Sequence, residues 1–236
     1  MKNWRISDVL FPKRCAVCDR VLPLFASGGG ICAFCTQNLH YLEEPLCCKC
    51  GKPVGEEEEY CYDCRNKTHE FIEGAALFPY DYIRSSLYRF KYGGRQEYAW
   101  FYAEQIALHM TERVKAWKPQ ALVPVPMFKK KKRLRGYNQA EILACRLSRL
   151  WNIPVLENLV IRVKNTRPMK EIDGTERQNN LKKAFKLGEN DVKLNTIIVI
   201  DDIYTTGSTV DAVTKVCHEA GIRNVYVLSV SIGHGL

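Results

Sequence analysis

The spacing of apolar residues along the chain changes near residue 66. Residues from about 13 to 66 are rich in cysteine, glycine and short turns and contain no long helical period. Beyond residue 66, apolar runs of strand length alternate with apolar positions at helical spacing. Strands that alternate with helices form mainly parallel sheets, so the pattern predicts an α/β domain over 67–236, preceded by a small module over 1–66.

The individual elements follow from the same pattern. Predicted strands cover 74–80, 121–125, 155–163, 196–200 and 224–232, and predicted helices cover 97–117, 137–150 and 208–220. The long polar segment 164–180 fits neither period, and unstructured segments of that length are often functional lids. In a parallel sheet we expect a ligand at the carboxyl ends of the strands.

The most informative of these ends follows the apolar strand 196–200. Two adjacent acids, Asp201 and Asp202, come first, and a short hydroxyl-rich loop then leads into a helix. Its residues are Thr205, Thr206, Gly207, Ser208 and Thr209. Helix N-termini present free N–H donors and partial positive charge, which suit a phosphate group. No lysine follows Gly207, so the loop is not the P-loop of nucleoside triphosphatases.

The two acids need an explanation of their own, because adjacent carboxylates at a strand end repel each other unless something satisfies them. Ribose hydroxyls, with Mg²⁺ nearby, would satisfy them, and a phosphate on the same sugar would reach the loop. The spacing therefore fits a ribose 5-phosphate. The alternative is a helix capped by Ser208 beside two exposed aspartates.

Nine of the eleven cysteines precede residue 65, and eight of them form four CxxC pairs. They are Cys15, Cys18, Cys32, Cys35, Cys47, Cys50, Cys61 and Cys64. Two such pairs complete a tetrahedral Cys₄ zinc site, and a closed site of this kind is structural. The simplest assignment is two consecutive ribbons with one or two zinc ions; crossed pairs remain open. Cys48 could replace Cys47, whereas Cys145 and Cys217 lie in helical patterns typical of packing residues.

The formal net charge is +9, which favours polyanionic partners. Six cations crowd into seven residues: Lys129, Lys130, Lys131, Lys132, Arg133 and Arg135. The alternative interpretation of this run is a solvated basic loop. No apolar run is long enough to span a membrane, and 1–10 lacks a signal-peptide pattern. Together with metal-spaced cysteines, this predicts a cytoplasmic protein.

The segment 197–209 resembles the motif with which type I phosphoribosyltransferases bind phosphoribosyl diphosphate (PRPP). Further blocks resemble the ComF/GntX family, named after competence for natural transformation, and the likeness is closest to its ComFC branch. They are the paired CxxC motifs, FKYG at 90–93, VPVP at 123–126, RGYNQA at 135–140 and ERQNNL at 176–181. The likeness runs over essentially the whole chain.

The resemblance implies a type I phosphoribosyltransferase fold, a mainly parallel sheet flanked by helices, with a double zinc ribbon before it. It also implies that Asp201 and Asp202 hold the ribose hydroxyls and that 205–209 holds the 5-phosphate, with magnesium. The turn after 126 matches the pyrophosphate loop, and 164–180 matches the mobile hood. The cations at 129–133, Arg135 and Arg177 are then candidates for contact with pyrophosphate or DNA.

Two departures from the family pattern bear on activity. Purine-salvage members carry an acid where this chain has Thr205, although other branches also carry threonine there. The chain ends at Leu236, soon after the last strand, which leaves no C-terminal hood for a nucleobase. We therefore expect the zinc module to serve as the hood.

Two functions remain open at this stage. One is a PRPP-binding protein of natural transformation that handles single-stranded DNA, together with a DNA-uptake helicase or another transformation protein. Its basis is the zinc ribbons, the lysine run and the tyrosines Tyr88, Tyr92 and Tyr137, which could instead be core residues. The other is an active phosphoribosyltransferase that moves ribose 5-phosphate to an unidentified acceptor in nucleotide metabolism. The catalytic residues are unknown, and the histidines form no ligand or triad pattern.

Overall fold

The computed structural model describes residues 12–23, 30–164, 184–188 and 193–233. Its body is a parallel four-stranded sheet in the order β1-β6-β5-β2. These strands are β1 (Gly74–Pro79), β2 (Ala121–Pro124), β5 (Thr196–Tyr204) and β6 (Asn224–Ile232). A separate antiparallel pair consists of β3 (Val160–Arg162) and β4 (Phe185–Leu187).

Seven helices complete the described part of the chain. They are α1 (Ala33–Gln37), α2 (Tyr62–Asn66), α3 (Tyr80–Tyr92), α4 (Tyr98–Trp117), α5 (Lys129–Arg135), α6 (Gln139–Trp151) and α7 (Ser208–Glu219). Helices α3, α4 and α6 contribute to one hydrophobic core, and α7 contributes to a second with β3 and β4. Along β5, Ile198 and Ile200 belong to the first core and Ile197 and Val199 to the second. The expected α/β fold, a parallel sheet flanked by helices, is confirmed.

Each cysteine ribbon packs into a different core. Cys15 and Cys35 join the first core, while Cys47, Cys50 and Cys61 join the second. Successive residues of a strand point to opposite faces, so the two ribbons attach to opposite faces of the sheet. Both ribbons are therefore built into the core of the molecule.

The structure differs from three sequence expectations. The strand predicted at 155–163 is wrong in extent, because Val155 makes only an isolated bridge to Leu122 and β3 begins at Val160 after a turn. Strand β5 runs on to Tyr204, so both aspartates lie within it. Two helices were not predicted: α3, and α5, which carries the basic run.

Candidate functional site

The two aspartates lie at the carboxyl end of the sheet, one on each of its two faces. Asp202 follows the alternation of Ile198 and Ile200, and its carboxylate is 2.7 Å from Lys91 Nζ on α3. Asp201 follows the alternation of Ile197 and Val199 towards the second core. Asp202 is buried and Asp201 is half-buried, so the alternative of two exposed aspartates is wrong.

Lys91 is a site residue to which the sequence assigned no role beyond its place in the FKYG block. Burial lowers its pKa, but the charges of Asp202 and Asp201 outweigh burial and hold the pKa above its ordinary value. Lys91 therefore remains a cation against the acid pair. A buried charge of this kind is retained only when it is paired.

Asp201 has the most perturbed environment of the pair. Burial, and next the charge of Asp202, raise its pKa from 3.8 to about 8, against the opposing effect of Lys91. One of its oxygens, Oδ1, accepts a hydrogen bond of 2.8 Å from the backbone N–H of Asp202. Burial lowers the pKa of Arg162 on β3, and the negative charge of Asp201 opposes part of that lowering.

Helix α5 divides the predicted basic run into two sets. Lys131 and Arg135, one turn apart, are half-buried, and the pKa of Lys131 is lowered by burial and then by the charges of Arg162 and Arg135. The positive charge of Arg135 also acts on Lys91. Lys91 and Arg162 thus interact with the acid pair, and Arg135 and Lys131 of α5 act on those two cations.

The second set is exposed and consists of Lys129, Lys130, Lys132 and Arg133. Lys132 Nζ pairs with Glu141 at 2.5 Å. The other three cations of this set, Lys129, Lys130 and Arg133, form no ion pair with the described residues. The basic run is a helix and is not a solvated loop. Arg177 and most of 164–180 lie outside the described residues.

The loop after β5 has the backbone expected of an anion-binding turn. Gly207 adopts φ 72°, and Ser208 begins α7. No side chain caps the helix, so the alternative of a Ser208 cap is wrong. A Cβ on residue 207 would lie 2.6 Å from both His69 Cε1 and Tyr204 Oη, so glycine is required by contact as well as by conformation.

Two residues just after the second ribbon brace this loop. Lys67 Nζ donates to the Thr206 carbonyl at 3.0 Å and to Ser208 Oγ at 3.4 Å, and it lies 2.8 Å from Asp211 Oδ2. His69 Nδ1 is 2.9 Å from the same Asp211 oxygen, and its Nε2 is 3.5 Å from the Tyr204 hydroxyl. These contacts tie the chain after Cys64 to the hydroxyl loop, and no pattern in the sequence indicates them.

The eight paired cysteines form two clusters, each from consecutive pairs. One contains Cys15, Cys18, Cys32 and Cys35, and the other Cys47, Cys50, Cys61 and Cys64, with all sulfurs of a cluster within 4.8 Å of one another. A tetrahedral zinc with Zn–S bonds of about 2.3 Å separates its sulfurs by about 3.8 Å. The Cys18–Cys32 and Cys50–Cys61 sulfur distances are 3.8 and 3.6 Å. Both donor sets therefore fit structural zinc, in the simple consecutive arrangement.

The other cysteines stand apart from these clusters. Cys48 is exposed next to the second cluster, Cys217 is buried, and the Cys145 thiol is 3.4 Å from Glu157 Oε1.

The three tyrosines considered for nucleic-acid contact divide between core and surface. Tyr137 is buried and its hydroxyl donates to the Phe90 carbonyl, so it is a core residue. Tyr88 and Tyr92 are 65% and 63% exposed, with ring centroids 5.1 Å apart. The structure therefore leaves two of the three rings available at the surface.

The chain resembles known proteins over most of its length. Residues 6–65 match the family model of the double zinc ribbon domain. Competence protein F of Haemophilus influenzae is 29% identical over 228 residues, covering 92% of this chain and 96% of that protein. The DNA utilization protein YhgH of Escherichia coli strain K12 is 28% identical, with 92% and 95% covered. Competence protein ComFC of Bacillus subtilis is 28% identical, with 88% and 89% covered.

Solved structures similar to the chain include two purine-specific enzymes. A purine phosphoribosyltransferase from Pyrococcus horikoshii aligns with 56% of this chain and 73% of its own at 16% identity and a TM-score of 0.35. The adenine phosphoribosyltransferase of Saccharomyces cerevisiae aligns with 69% and 82% at 16% identity and a TM-score of 0.36. No helix in the described ranges has the length and apolar character that crossing a membrane requires.

Proposed function

We propose that this chain, which is similar to competence protein F and ComFC over most of its length, acts in natural transformation as a PRPP-binding protein that handles single-stranded DNA. One observation carries the PRPP part. A partly buried acid pair and a helix N-terminus that begins at a glycine follow each other at one strand end, with Lys91 and Arg162 acting on the acids. Those are the groups that a phosphorylated sugar with a diphosphate requires.

Each part of PRPP has a counterpart in this site. The 5-phosphate lies at the N-terminus of α7, where Thr205, Thr206, Ser208 and Thr209 supply hydroxyls and backbone N–H groups. Asp201 and Asp202 would accept hydrogen bonds from the ribose hydroxyls, and their negative charge would suit a magnesium ion bound with the diphosphate. Lys131 and Arg135 face the diphosphate as cations. The magnesium ion would neutralise diphosphate charge, as it does for other polyphosphates.

The zinc module has a direct place in this proposal. We assign 1–66 to the double ribbon and 67–236 to the PRPP-binding domain, and Lys67 stands at that boundary. It contacts both Thr206 and Asp211. The chain that leaves the second ribbon therefore supports the phosphate loop with its first residue, and we assign the role of a hood to the ribbon beside it.

The DNA part rests on charge and on the relatives. Competence protein F, ComFC and the DNA utilization protein YhgH are all similar to this chain over most of its length. The exposed cations Lys129, Lys130 and Arg133 offer a phosphate-binding face on α5. Binding through such a face tolerates any sequence and weakens as salt rises. Neutralising these three residues should reduce the salt dependence.

Thermal unfolding with Mg²⁺ and millimolar PRPP tests the PRPP site. A ligand that binds only the folded state raises the melting temperature, so we expect a rise for the wild type and none for Asp201→Ala with Asp202→Ala. The matched control neutralises two exposed acids, Glu56→Ala with Glu57→Ala, and keeps the rise. An unchanged melting curve for the wild type would remove the basis of the proposal.

The same site would also serve an active phosphoribosyltransferase. Incubation with labelled PRPP and a panel of nucleobases, nucleotides and DNA separates the two functions. Pyrophosphate release that depends on one acceptor would identify an enzyme. Binding without release would identify a PRPP-dependent DNA-handling protein.

A further inference from the structure

A cleft of about 450 Å³ opens on the surface of α3, next to the acid pair. Its lining includes Arg84, Tyr88, Arg89, Lys91 and Tyr92 from the helix, and Ile203 from β5. This volume lies within the usual range of small-ligand pockets, about 300–1,000 Å³. Lys91 lines the cleft and also pairs with Asp202 at 2.7 Å, so the cleft and the proposed sugar site share a side chain.

The rings of the cleft are held in place and left open. Tyr88 and Tyr92 lie one helical turn apart, and the Arg135 guanidinium lies over the Tyr92 ring at 4.7 Å from its centroid. One face of Tyr92 is thereby occupied. Tyr88 is 65% exposed, so its ring is open to a ligand.

The charges of the cleft are all of one sign. Arg84, Arg89 and Lys91 line it, and no acidic residue belongs to its described lining. Arg89 is fixed from behind, because its guanidinium donates to the Val17 carbonyl of the first ribbon at 2.7 Å. An open ring with cations around it suits a nucleobase joined to phosphates, since Asp202, the acid beside Lys91, is already paired with that lysine.

We propose that this cleft binds one unpaired base of single-stranded DNA, stacked on Tyr88, with the adjoining phosphates on Arg84 and on the exposed face of α5. This proposal rests on the proposed function, of which it names the DNA contact. Paired bases bury their faces in the duplex, so the cleft selects single strands. Since Lys91 borders both ligands, the base sits directly beside bound PRPP.

A fluorescent base analogue tests the proposal. An oligothymidylate carrying one 2-aminopurine loses fluorescence when that base stacks on an aromatic ring. We expect quenching with the wild type, little quenching with Tyr88→Ala, and an affinity for the oligonucleotide about tenfold lower in that variant. Tyr88→Phe keeps the stacking face and should restore both signals.

Controls separate this proposal from the PRPP assignment. Tyr62→Ala removes a ring that is 72% exposed on α2, far along the chain from the cleft, and should bind the oligonucleotide like the wild type. Tyr88→Ala should keep its PRPP-dependent rise in melting temperature. Full quenching of 2-aminopurine by Tyr88→Ala would overturn the cleft proposal even if PRPP still raises the melting temperature of that variant. A wild type that quenches 2-aminopurine but shows no rise in melting temperature with PRPP would overturn only the PRPP site.

Discussion

The two cysteine ribbons have the same metal chemistry but support different parts of the molecule. The first packs on α3 and α4, where Ser86 donates to the Ala16 carbonyl and Arg89 to the Val17 carbonyl. The second packs on the opposite face and continues into Lys67 and His69, which brace the loop after β5. The first ribbon therefore backs the aromatic cleft, and the second backs the proposed phosphate site. A repeated motif has acquired two separate structural tasks.

The largest expected effect comes from removing one zinc site at a time. Cys61→Ser breaks the second cluster and Cys18→Ser the first, and structural zinc contributes about 10 kcal/mol or more in zinc-finger peptides. We expect each variant to lose one of two zinc ions. Only Cys61→Ser should also lose the PRPP-dependent rise in melting temperature, because of the two ribbons only the second continues into a residue, Lys67, that contacts the loop.

Zinc content by mass spectrometry, with melting curves in the presence and absence of PRPP, measures both effects. An equal loss of the PRPP-dependent rise in melting temperature in the two variants would show that the second ribbon has no special role at the loop.

A smaller effect is expected at the link between the second ribbon and the loop. Lys67→Met removes a charged donor to Thr206 and Ser208, and hydrogen bonds of this class contribute about 1.5–3 kcal/mol. The dissociation constant for PRPP with Mg²⁺ should rise about tenfold or more in a calorimetric titration.

The matched control is Lys52→Met, which breaks an ion pair with Asp63 of 2.5 Å inside the same ribbon. It should lower stability without changing the affinity for PRPP. If both variants weaken PRPP binding equally, Lys67 has no special contact with the loop.

On the first ribbon the expected change is in stability alone. Ser86→Ala removes a buried hydroxyl shared between the Ala16 carbonyl and the Tyr102 hydroxyl, which should lower the free energy of unfolding by about 1–3 kcal/mol. Ser85→Ala, at the exposed neighbouring position, should leave urea unfolding unchanged. A weaker affinity for PRPP in Ser86→Ala would contradict the claim that only the second ribbon supports the PRPP site.

A further prediction concerns the pH dependence of stability. The pKa of Asp201 is raised from 3.8 to about 8, so between these values the folded chain holds a proton that the unfolded chain has lost. Its contribution to the free energy of unfolding therefore falls as pH rises from about 4 to about 8. Asp201→Asn lacks this contribution.

Urea unfolding of both proteins at pH 5 to 8 measures the difference. The free energy of unfolding of the wild type relative to Asp201→Asn should decline across that range. The control Glu57→Gln changes an exposed acid, and its free energy of unfolding should depend on pH as that of the wild type does. Parallel curves for Asp201→Asn would contradict the burial of a protonated Asp201.

Much of the fold could be predicted because its strands and long helices carry clear periods. The structure has β6 at 224–232 as predicted, and α4 begins one residue later than expected. Helix α3 does carry an apolar stripe at Ile83, Leu87 and Phe90, but its exposed tyrosines obscure that stripe. Helix α5 has none, since its one apolar residue, Leu134, is 81% exposed.

The candidate site could be predicted only where its residues are consecutive. The acids and the hydroxyl loop lie within nine positions and have a recognisable order. Lys91 and Lys67 could not be predicted in this way, because their partners come from distant parts of the chain. Lys67 and Asp211, for example, are 144 positions apart. Such pairs depend on how the ribbons and α3 pack against the sheet, and periodicity does not record that packing.

A crystal structure with Mg²⁺ and PRPP tests the central claim most directly. We expect the 5-phosphate at the N-terminus of α7, within hydrogen-bond distance of the 205–209 backbone, and the ribose hydroxyls against Asp201 and Asp202. A sugar bound elsewhere, with Lys91 still paired to Asp202 and the loop empty, would contradict the account.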